Sequence, residues 1–309
     1  MSKSNLQDLS IAVLVGGTSA EREVSLMSGA VIVDCLRPLC RELKVIDPQD
    51  SGWTSQLTGV DFVFNILHGG IGENGAVQGL LMSLGIPQSG SGVLGAALGM
   101  DKLKTKAIWR DLGLPVAPEA LLTAESDFDQ VIADLGEVFV KPAFEGSSLG
   151  MSIAKTGSEL REAFARAQIF AGPVFAERRI IGEEYTVAIL GDRVLPAIRL
   201  STTADFYDYH AKYLAEDTQY FCPCGLDSET EQRIGDLALR AFAAVGCSVW
   251  GRVDLMMDSQ GKVALLEVNT VPGMTTHSLV PMAGRAAGLS MSDLLVEIIT
   301  RSLERGAQS

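Results

Sequence analysis

The sequence predicts an α/β protein in which an N-terminal open parallel sheet is followed by a mixed region of helices and antiparallel strands. Over about the first 90 residues, short apolar runs of strand length alternate with helical patterns, which is typical of a parallel sheet with crossover helices. Nearer the C-terminus, two apolar runs flank the turn 258–261, which indicates an antiparallel hairpin. The length of 309 residues leaves room for two or three domains.

The N-terminal region is predicted to contain three strands and two helices. The strands are expected at 11–15, 43–47 and 61–67. One helix has an apolar face that runs from Leu26 to Val33, and a shorter helix is expected near 76–84. Ligands of open parallel sheets collect at the carboxyl ends of the strands. The segments 16–21 and 68–75 are therefore predicted to line a site.

The second region is predicted to follow a joint at 89–92. Helices are expected at 101–112, 158–167, 227–245 and 291–303. Strands are expected at 138–141, 174–179, 185–190, 251–257 and 262–268, with Ile181 and Gly182 between the second and third of them. The polar and aromatic segment 205–220 has no clean period, so we expect a long loop there.

Composition and charge exclude several classes of protein. With 25 Lys and Arg against 38 Asp and Glu, the net charge of −13 argues against a nucleic-acid partner. No secretory signal and no run long enough for a membrane span is present, so we expect no membrane partner. The five cysteines include no CxxC pair, which favours a reducing compartment. We therefore expect a cytoplasmic protein.

The two commonest phosphate-binding motifs are absent, but the predicted hairpin carries another candidate. Arg252 and Asp254 are two residues apart on one strand, and Glu267 and Asn269 are two apart on the next, so each pair faces one side of the sheet. The opposite face is predicted to be apolar: Val253, Leu255, Leu266 and Val268. Such polar faces are usually solvated, yet aligned acids repel unless a cation neutralises them. We therefore expect Asp254, Glu267 and Asn269 to bind Mg²⁺.

Two lysines are candidate phosphate donors. Lys141 ends a strand beside the glycine- and serine-rich segment 145–150, where free N–H groups and the Ser147 and Ser148 hydroxyls would surround a phosphate. Lys102 begins a helix, but other lysines lie close to it. The alternative for any single lysine is an ordinary surface charge, which fits Lys102 better than Lys141.

These residues together resemble the ATP-grasp ligases. The matching set is Lys141-Pro, EGSSLG (145–150), Glu177, Glu184, GRVD (251–254) and EVNT (267–270). Four further segments resemble the D-alanine–D-alanine ligases of that group: GGTSAEREVS (16–25), HGGIGENG (68–75), YDYHAKY (207–213) and PGMTTHSL (272–279). The resemblance extends from about residue 11 to the C-terminus, and it is the combination of motifs that makes it specific.

The resemblance implies a fold, a domain division and a reaction. It implies an N-terminal α/β substrate domain at 1–92, a central ATP-grasp lobe at 93–180 and a C-terminal ATP-grasp lobe at 181–309 with the metal site and a closing loop at 205–220. In the implied reaction, ATP phosphorylates the carboxylate of one D-alanine and the amine of a second attacks the acyl phosphate. The products are D-alanyl-D-alanine for peptidoglycan, ADP and phosphate. It also implies two Mg²⁺ or Mn²⁺ ions and a homodimer.

The resemblance also implies a role for each matching residue. For catalysis and amino-acid binding these are Glu21, His68, Ser147, Tyr213, Arg252, Gly273, Ser278 and Leu279. For ATP they are Lys102, Lys141, Ser147, Ser148, Glu177, Ile180, Glu184 and Lys212, and for the metal Asp254, Glu267 and Asn269. Glu21 would hold the ammonium of the first D-alanine, with Ser147 and Tyr213 linked to it as a latch on the closing loop. Arg252 and the Gly273 N–H would stabilise the oxyanion.

Two positions depart from the family pattern, and three alternatives stay open. Asn74 replaces a frequent Asp, and Phe144 replaces a frequent polar residue. Relatives that make D-alanyl-D-lactate lack the tyrosine at Tyr213, so the dipeptide is favoured over that product. Another carboxylate–amine ligase of the same fold would not need the Glu21 and His68 segments. A regulatory protein that had lost its chemistry would be expected to lose Arg252 or the metal ligands.

Overall fold

The N-terminal sheet is parallel, as the sequence predicts. The computed structural model describes residues 3–146, 150–170, 172–201 and 219–306. The strands are β1 (Ser10–Leu14), β2 (Glu42–Ile46) and β3 (Phe62–Asn65), in the order β2-β1-β3. Helix α1 (Arg22–Leu36) crosses over between β1 and β2 and buries Val24, Ile32 and Leu36, and α2 (Ala76–Ser83) follows β3. All three predicted strands and both helices are therefore confirmed, with slightly different ends.

The segment predicted as a joint is packed against the sheet. Gln88 pairs with Val63 of β3 in a parallel bridge, and the Ser89 N–H donates to the Val63 carbonyl over 3.0 Å. Helix α3 (Val93–Met100) follows at once and was missed because it is apolar on every side and contains two glycines. Helix α4 (Lys102–Asp111) confirms the prediction at 101–112, and Asp101 caps it by accepting the Lys104 N–H over 3.0 Å.

A four-stranded antiparallel sheet follows, in the order β4-β7-β5-β6. Its strands are β4 (Glu119–Leu122), β5 (Val138–Pro142), β6 (Ser152–Ala154) and β7 (Val174–Arg178), and its helices are α5 (Phe128–Leu135) and α6 (Gly157–Ala167). Strands β4 and β6 and helix α5 were not predicted from the sequence. A capping box between Thr156 and Glu159 begins α6.

The C-terminal sheet has the path β11-β10-β8-β12-β13, with β9 paired to β8. Its strands are β8 (Gly182–Leu190), β9 (Arg193–Val194), β10 (Ile198–Ser201), β11 (Gln219–Phe221), β12 (Trp250–Asp258) and β13 (Val263–Asn269). The helices are α7 (Ser228–Ala244), α8 (Leu279–Ala286) and α9 (Met291–Gly306). Two predictions were wrong: Gly182 belongs to β8, and Gln219 and Tyr220 of the predicted loop belong to β11. The rest of that loop, 205–218, lies outside the described residues.

The hydrophobic cores join regions that are distant in sequence. One core combines β1 and α1 with the ends of β8 and β12 and with helices α8 and α9. A second includes Trp109 of α4, whose indole N–H donates to the Ala241 carbonyl over 2.8 Å, so α4 packs against α7 and β13. These contacts hold the N-terminal sheet and α4 against the face of the β12–β13 hairpin. The domain boundaries at 92 and 180 stay a prediction. In the described part of the chain, no helix has the length and hydropathy of a membrane span.

Candidate active site

A pocket forms where the carboxyl ends of the N-terminal strands face the β12–β13 hairpin. Its lining combines segments from both halves of the chain: Glu21, His68, Glu73, Met100, Lys102, Gly146, Arg252, Glu267, Asn269 and Gly273. Six of the motif segments singled out from the sequence contribute to this lining, and the fold brings the N-terminal ones to it because β1 and β3 end at this edge. The pocket is mainly polar and contains charges of both signs. It therefore suits a charged ligand better than an apolar one.

The hairpin has the register that the sequence predicts. Arg252 lies opposite Asn269, and Asp254 lies opposite Glu267, so all four side chains share one face. A β-bulge shifts the register between Asp254 and Leu255, which pairs with Leu265. Leu265 is therefore the residue buried in the core, and the prediction that Leu266 lies on the apolar face was wrong.

Hydrogen bonds from three neighbours hold the Asp254 carboxylate. The Arg252 guanidinium donates to it from Nε, to Oδ1 over 3.0 Å and to Oδ2 over 3.3 Å, and from Nη2 to Oδ2 over 3.1 Å. The Asn269 amide donates to Oδ2 over 3.0 Å, and the Thr186 hydroxyl donates to Oδ1 over 2.5 Å. Because Asn269 uses its nitrogen here, its amide oxygen is left for another partner.

The donor set on this face fits a hard divalent cation. Two carboxylates and one amide oxygen are the ligand types that Mg²⁺ takes, with substrate phosphates and water completing its coordination. The second carboxylate, Glu267, forms an ion pair with Lys102 over 3.2 Å. The described residues contain no cluster of three or more His, Cys, Asp or Glu suited to a metal. Substrate oxygens would therefore have to complete any metal shell at Asp254, Glu267 and Asn269.

A buried charge cluster lies between α4, β5 and β7. Glu177 forms ion pairs with Lys141 over 2.5 Å and with Lys106. Burial alone would raise the pKa of Glu177, but the two ammonium groups hold it below its usual value. Lys106 is fully buried and also donates to the Leu265 carbonyl over 3.1 Å.

Sequence reasoning missed Lys106 as a functional candidate. It lies one helical turn after Lys102 and three residues before the buried Trp109. That position on the apolar face of α4 was the available signal, because a lysine there needs an acidic partner. The cluster therefore fixes the Lys141 ammonium beside Glu177.

The residues that the resemblance assigns to adenine and ribose lie around the connection between two sheets. Glu177 ends up enclosed by lysines, whereas Ile180 lies in the short link between β7 and β8 and is half-buried. Glu184 is half-buried on β8, opposite Leu200 on one side and Met256 on the other. The structure therefore places these three residues on β7, on β8 and in the link between the two strands.

Glu21 lies at the N-terminus of α1 with its carboxylate directed away from capping the helix. The side chain is almost completely buried. A Cβ at Gly69 would lie 2.8 Å from its Oε2, and a Cβ at Gly146 would lie 2.9 Å from the same atom. A side chain at either position would therefore displace the Glu21 carboxylate. A carboxylate at this helix terminus is also favoured by the helix dipole.

A second acid, Glu73, lies near Glu21 and was not singled out from the sequence. Its Oε2 accepts the Gly69 N–H over 2.5 Å. Burial and the nearby Glu21 charge raise the pKa of Glu73 to about 8. At neutral pH the Glu73 carboxyl group is therefore largely protonated. The signal for Glu73 was its place within the HGGIGENG motif.

His68, which follows β3, contacts the segment after β13. The His68 Nδ1 lies 2.8 Å from the Val271 carbonyl. Burial, together with the Arg252 charge, lowers the pKa of His68 to about 4, so the imidazole is neutral. The Ser278 hydroxyl accepts the Thr275 N–H over 3.0 Å, and Leu279 begins α8 and is buried. Gly273 lies between β13 and this turn. Ser147, Ser148, Lys212 and Tyr213 lie outside the described residues, so their predicted roles stay predictions.

Comparisons with known proteins agree with this arrangement. The family model described as D-ala D-ala ligase C-terminus matches residues 108–300. A D-alanine–D-alanine ligase from Alkalilimnicola ehrlichii is 50% identical over 298 residues, covering 96% of each chain. The crystal structure of a D-alanine–D-alanine ligase from Bacillus anthracis complexed with ATP has a TM-score of 0.86 at 36% identity, covering 97% of this chain and 99% of that one.

A further solved structure with the same fold is a ligase named for a different second substrate. The VanG D-Ala:D-Ser ligase from Enterococcus faecalis has a TM-score of 0.83 at 29% identity and covers 96% of this chain and 100% of that one. The fold is therefore the ATP-grasp fold preceded by an open parallel sheet, as expected from the sequence. The matches to the family model and to relatives over nearly the whole length show that the chain belongs to the D-alanine–D-alanine ligase family.

Proposed function

We propose that this chain joins two molecules of D-alanine at the expense of ATP. The observation that carries the proposal is the pocket itself. We assign the wall with Glu21 and His68 to amino-acid binding and the wall with Arg252, Glu267 and Asn269 to phosphate and metal binding; all five residues line the one pocket. A carboxylate is a poor electrophile, and a ligase must therefore hold it beside a phosphoryl donor. The relatives named D-alanine–D-alanine ligase support the choice of substrate.

The first D-alanine would bind between the two walls. The Glu21 carboxylate would hold its ammonium, and the carboxylate of the substrate would point towards Arg252. Because His68 is neutral, Arg252 and Lys102 are the positively charged side chains in the pocket lining that would attract this carboxylate. Because Glu21 and Arg252 bind opposite ends of the same zwitterion, the orientation of the carboxylate is fixed before the reaction.

ATP would bind near the connection between the two antiparallel sheets, with its phosphates directed towards the pocket. Lys141, oriented by Glu177, and Lys102 would donate to them, with Ser147, Ser148 and Lys212 as further proposed donors. Ile180 and Glu184 would contact the adenine and ribose. When bound at Asp254, Glu267 and Asn269, two Mg²⁺ or Mn²⁺ ions would neutralise phosphate charge. The γ-phosphoryl group would then pass to the substrate carboxylate, leaving ADP.

The second D-alanine would attack the resulting acyl phosphate. Ser278 and the Leu279 N–H would bind its carboxylate, and its amine, once deprotonated, would form the new C–N bond. Arg252 and the Gly273 N–H would stabilise the tetrahedral oxyanion, which collapses with cleavage of the C–O bond to phosphate. A loop latched by Ser147, Tyr213 and Glu21 would exclude water, which would otherwise hydrolyse the acyl phosphate.

The test is product identification by mass after incubation with ATP, Mg²⁺ and D-alanine. Parallel reactions contain L-alanine alone, or D-alanine with D-lactate or D-serine as competing acceptor. We expect D-alanyl-D-alanine from D-alanine alone and no product from L-alanine. Product formed only with D-lactate or D-serine would contradict the proposed acceptor, and no ADP release with any of them would contradict the proposed reaction.

We further propose that the protein is a cytoplasmic homodimer that requires no nucleic acid or membrane. The acidic composition and the absence of a membrane-length helix among the described residues support the last two points. Light scattering of the purified chain tests the dimer, for which we expect twice the chain mass of 32.9 kDa. A single-chain mass at the assay concentration would contradict it.

A further inference from the structure

We propose that Ser28, together with His68, is a positioning residue that fixes the backbone of 271–274 and with it the Gly273 N–H. The proposal deepens the proposed function, since it rests on Gly273 as an oxyanion donor. Ser28 belongs to α1 of the N-terminal region, whereas Gly273 follows β13 of the C-terminal sheet. The contact therefore lets the amino-acid binding region hold part of the opposite wall of the pocket.

The Ser28 hydroxyl is a buried acceptor for this segment. Its side chain has no exposed surface, and its Oγ accepts the Met274 N–H over 3.1 Å. A Cβ built on Gly273 would lie 3.9 Å from the same Oγ, so the two residues are in contact range. Loss of the hydroxyl would leave the Met274 N–H without this partner in a buried place.

His68 holds the other end of the segment. A carbonyl oxygen only accepts hydrogen bonds, so the 2.8 Å contact with Val271 requires the hydrogen to be on Nδ1. Because burial keeps the ring neutral, Nε2 then carries a lone pair. Nε2 lies 3.5 Å from the Ser28 Oγ, which donates to it. Ser28 therefore accepts from Met274 and donates to His68, and both functions of the hydroxyl are used.

The consequence is a segment fixed on both sides of Gly273. Val271 is held through its carbonyl and Met274 through its N–H, both by side chains from the N-terminal region. Among the described residues, no hydrogen-bond acceptor pairs with the Gly273 N–H itself. Its N–H is thus held in place and available to a ligand, which is what an oxyanion donor requires. In this arrangement His68 orients backbone and does not donate to a substrate carboxylate.

The same helix offers a matched control. Ser25 is equally buried, accepts the Gly16 N–H over 2.9 Å and donates to the Ile66 carbonyl over 2.7 Å. It therefore makes two hydrogen bonds, as Ser28 does, but both lie within the N-terminal region. Substitution of either serine by alanine removes the same atom from the same helix, and only Ser28 contacts 271–274.

The experiment compares Ser28→Ala, Ser28→Thr and Ser25→Ala with the unaltered chain by steady-state kinetics and calorimetry. We expect Ser28→Ala to lower kcat about tenfold or more with the KM for ATP within about twofold of the unaltered chain, because the ATP contacts lie elsewhere. A phosphinate analogue of the tetrahedral intermediate should lose affinity by the same factor as kcat/KM. Ser28→Thr should restore most of kcat, and Ser25→Ala should lower the unfolding temperature similarly with little change in kcat.

Equal losses of kcat in Ser28→Ala and Ser25→Ala, or no loss in Ser28→Ala, would overturn the proposal. If Ser28→Ala fails to fold, the proposal is tested on the unaltered chain by ¹⁵N NMR of the histidines, which reports the nitrogen of His68 that carries the proton. We expect His68 to stay neutral with the proton on Nδ1 between pH 5.5 and 8, and a proton on Nε2 would overturn it. If the unaltered chain makes no dipeptide, the proposed function fails, whereas the NMR result still tests the hydrogen-bond arrangement.

Discussion

Substitution of Glu177 by Gln tests the buried charge cluster most severely. The carboxylate is 2% exposed and lies between Lys106, which is fully buried, and Lys141. In Glu177→Gln, two ammonium groups stay close together in the interior without the negative charge between them. Removing one partner from a buried ion pair typically costs about 3–5 kcal/mol. At roughly 2–4 °C per kcal/mol for a chain of this size, the unfolding temperature should fall by about 6–20 °C.

The matched control is Glu137→Gln. Glu137 likewise forms an ion pair, in this case with Arg179, which lowers the pKa of the Glu137 carboxyl. Its side chain, however, is 27% exposed. Ion pairs in such positions contribute about 1 kcal/mol or less, so the unfolding temperature should fall by no more than about 4 °C. Differential scanning calorimetry of both variants at pH 7.5 measures the difference.

The pH dependence provides a second test of the same cluster. The pKa of Glu177 is lower in the folded chain than in the unfolded one. The ionised carboxylate therefore contributes its full stabilisation at any pH above the ordinary glutamate pKa of about 4.3. That contribution is lost as the pH falls through the folded value. The stability gap between the unaltered chain and Glu177→Gln should therefore narrow in acid. Similar unfolding temperatures for Glu177→Gln and Glu137→Gln at pH 7.5 would refute the reasoning.

Three further predictions concern the pocket. Arg252→Lys should lower kcat by about 10²-fold or more, because lysine cannot reproduce the two-pronged contact with Asp254; an unchanged kcat would contradict the role of Arg252. Gly146→Ala should raise the KM for the first D-alanine about tenfold, measured by initial rates, because its Cβ would lie 2.9 Å from the Glu21 Oε2. The pKa of Glu73 is raised to about 8, so the free energy of unfolding of the unaltered chain, measured in urea, should fall relative to that of Glu73→Gln as the pH rises from about 4.5 to 8. A difference in unfolding free energy that does not change with pH would contradict this prediction.

Long periodic elements and motif-bearing strand ends were predictable from the sequence. Strands β1 and β3 are continuous apolar runs, and their carboxyl ends meet at the pocket because parallel strands end at one edge. The hairpin face with Asp254 and Glu267 followed from the period of two residues along each strand. These predictions hold because burial selects residue type with the same period as the backbone.

Other features depend on contacts between distant parts of the chain. The β-bulge puts Leu265, and not Leu266, on the core face of the hairpin. Because both residues are leucine, the sequence alone does not distinguish between them. Lys106 is buried only because Glu177 from β7 meets it there. Ser28 is one of two serines in α1, and only the fold shows that it contacts Met274. Periodicity carries no information about such pairings.

The most direct test of the proposed reaction follows the oxygen atoms. The chain is incubated with ATP, Mg²⁺ and D-alanine that carries ¹⁸O in both carboxylate oxygens, and the inorganic phosphate is analysed by ³¹P NMR. If the substrate carboxylate is phosphorylated and then attacked by the amine, each phosphate released in dipeptide synthesis should carry one ¹⁸O. Dipeptide formed together with unlabelled phosphate would contradict an acyl phosphate intermediate and the mechanism built on Arg252 and Gly273.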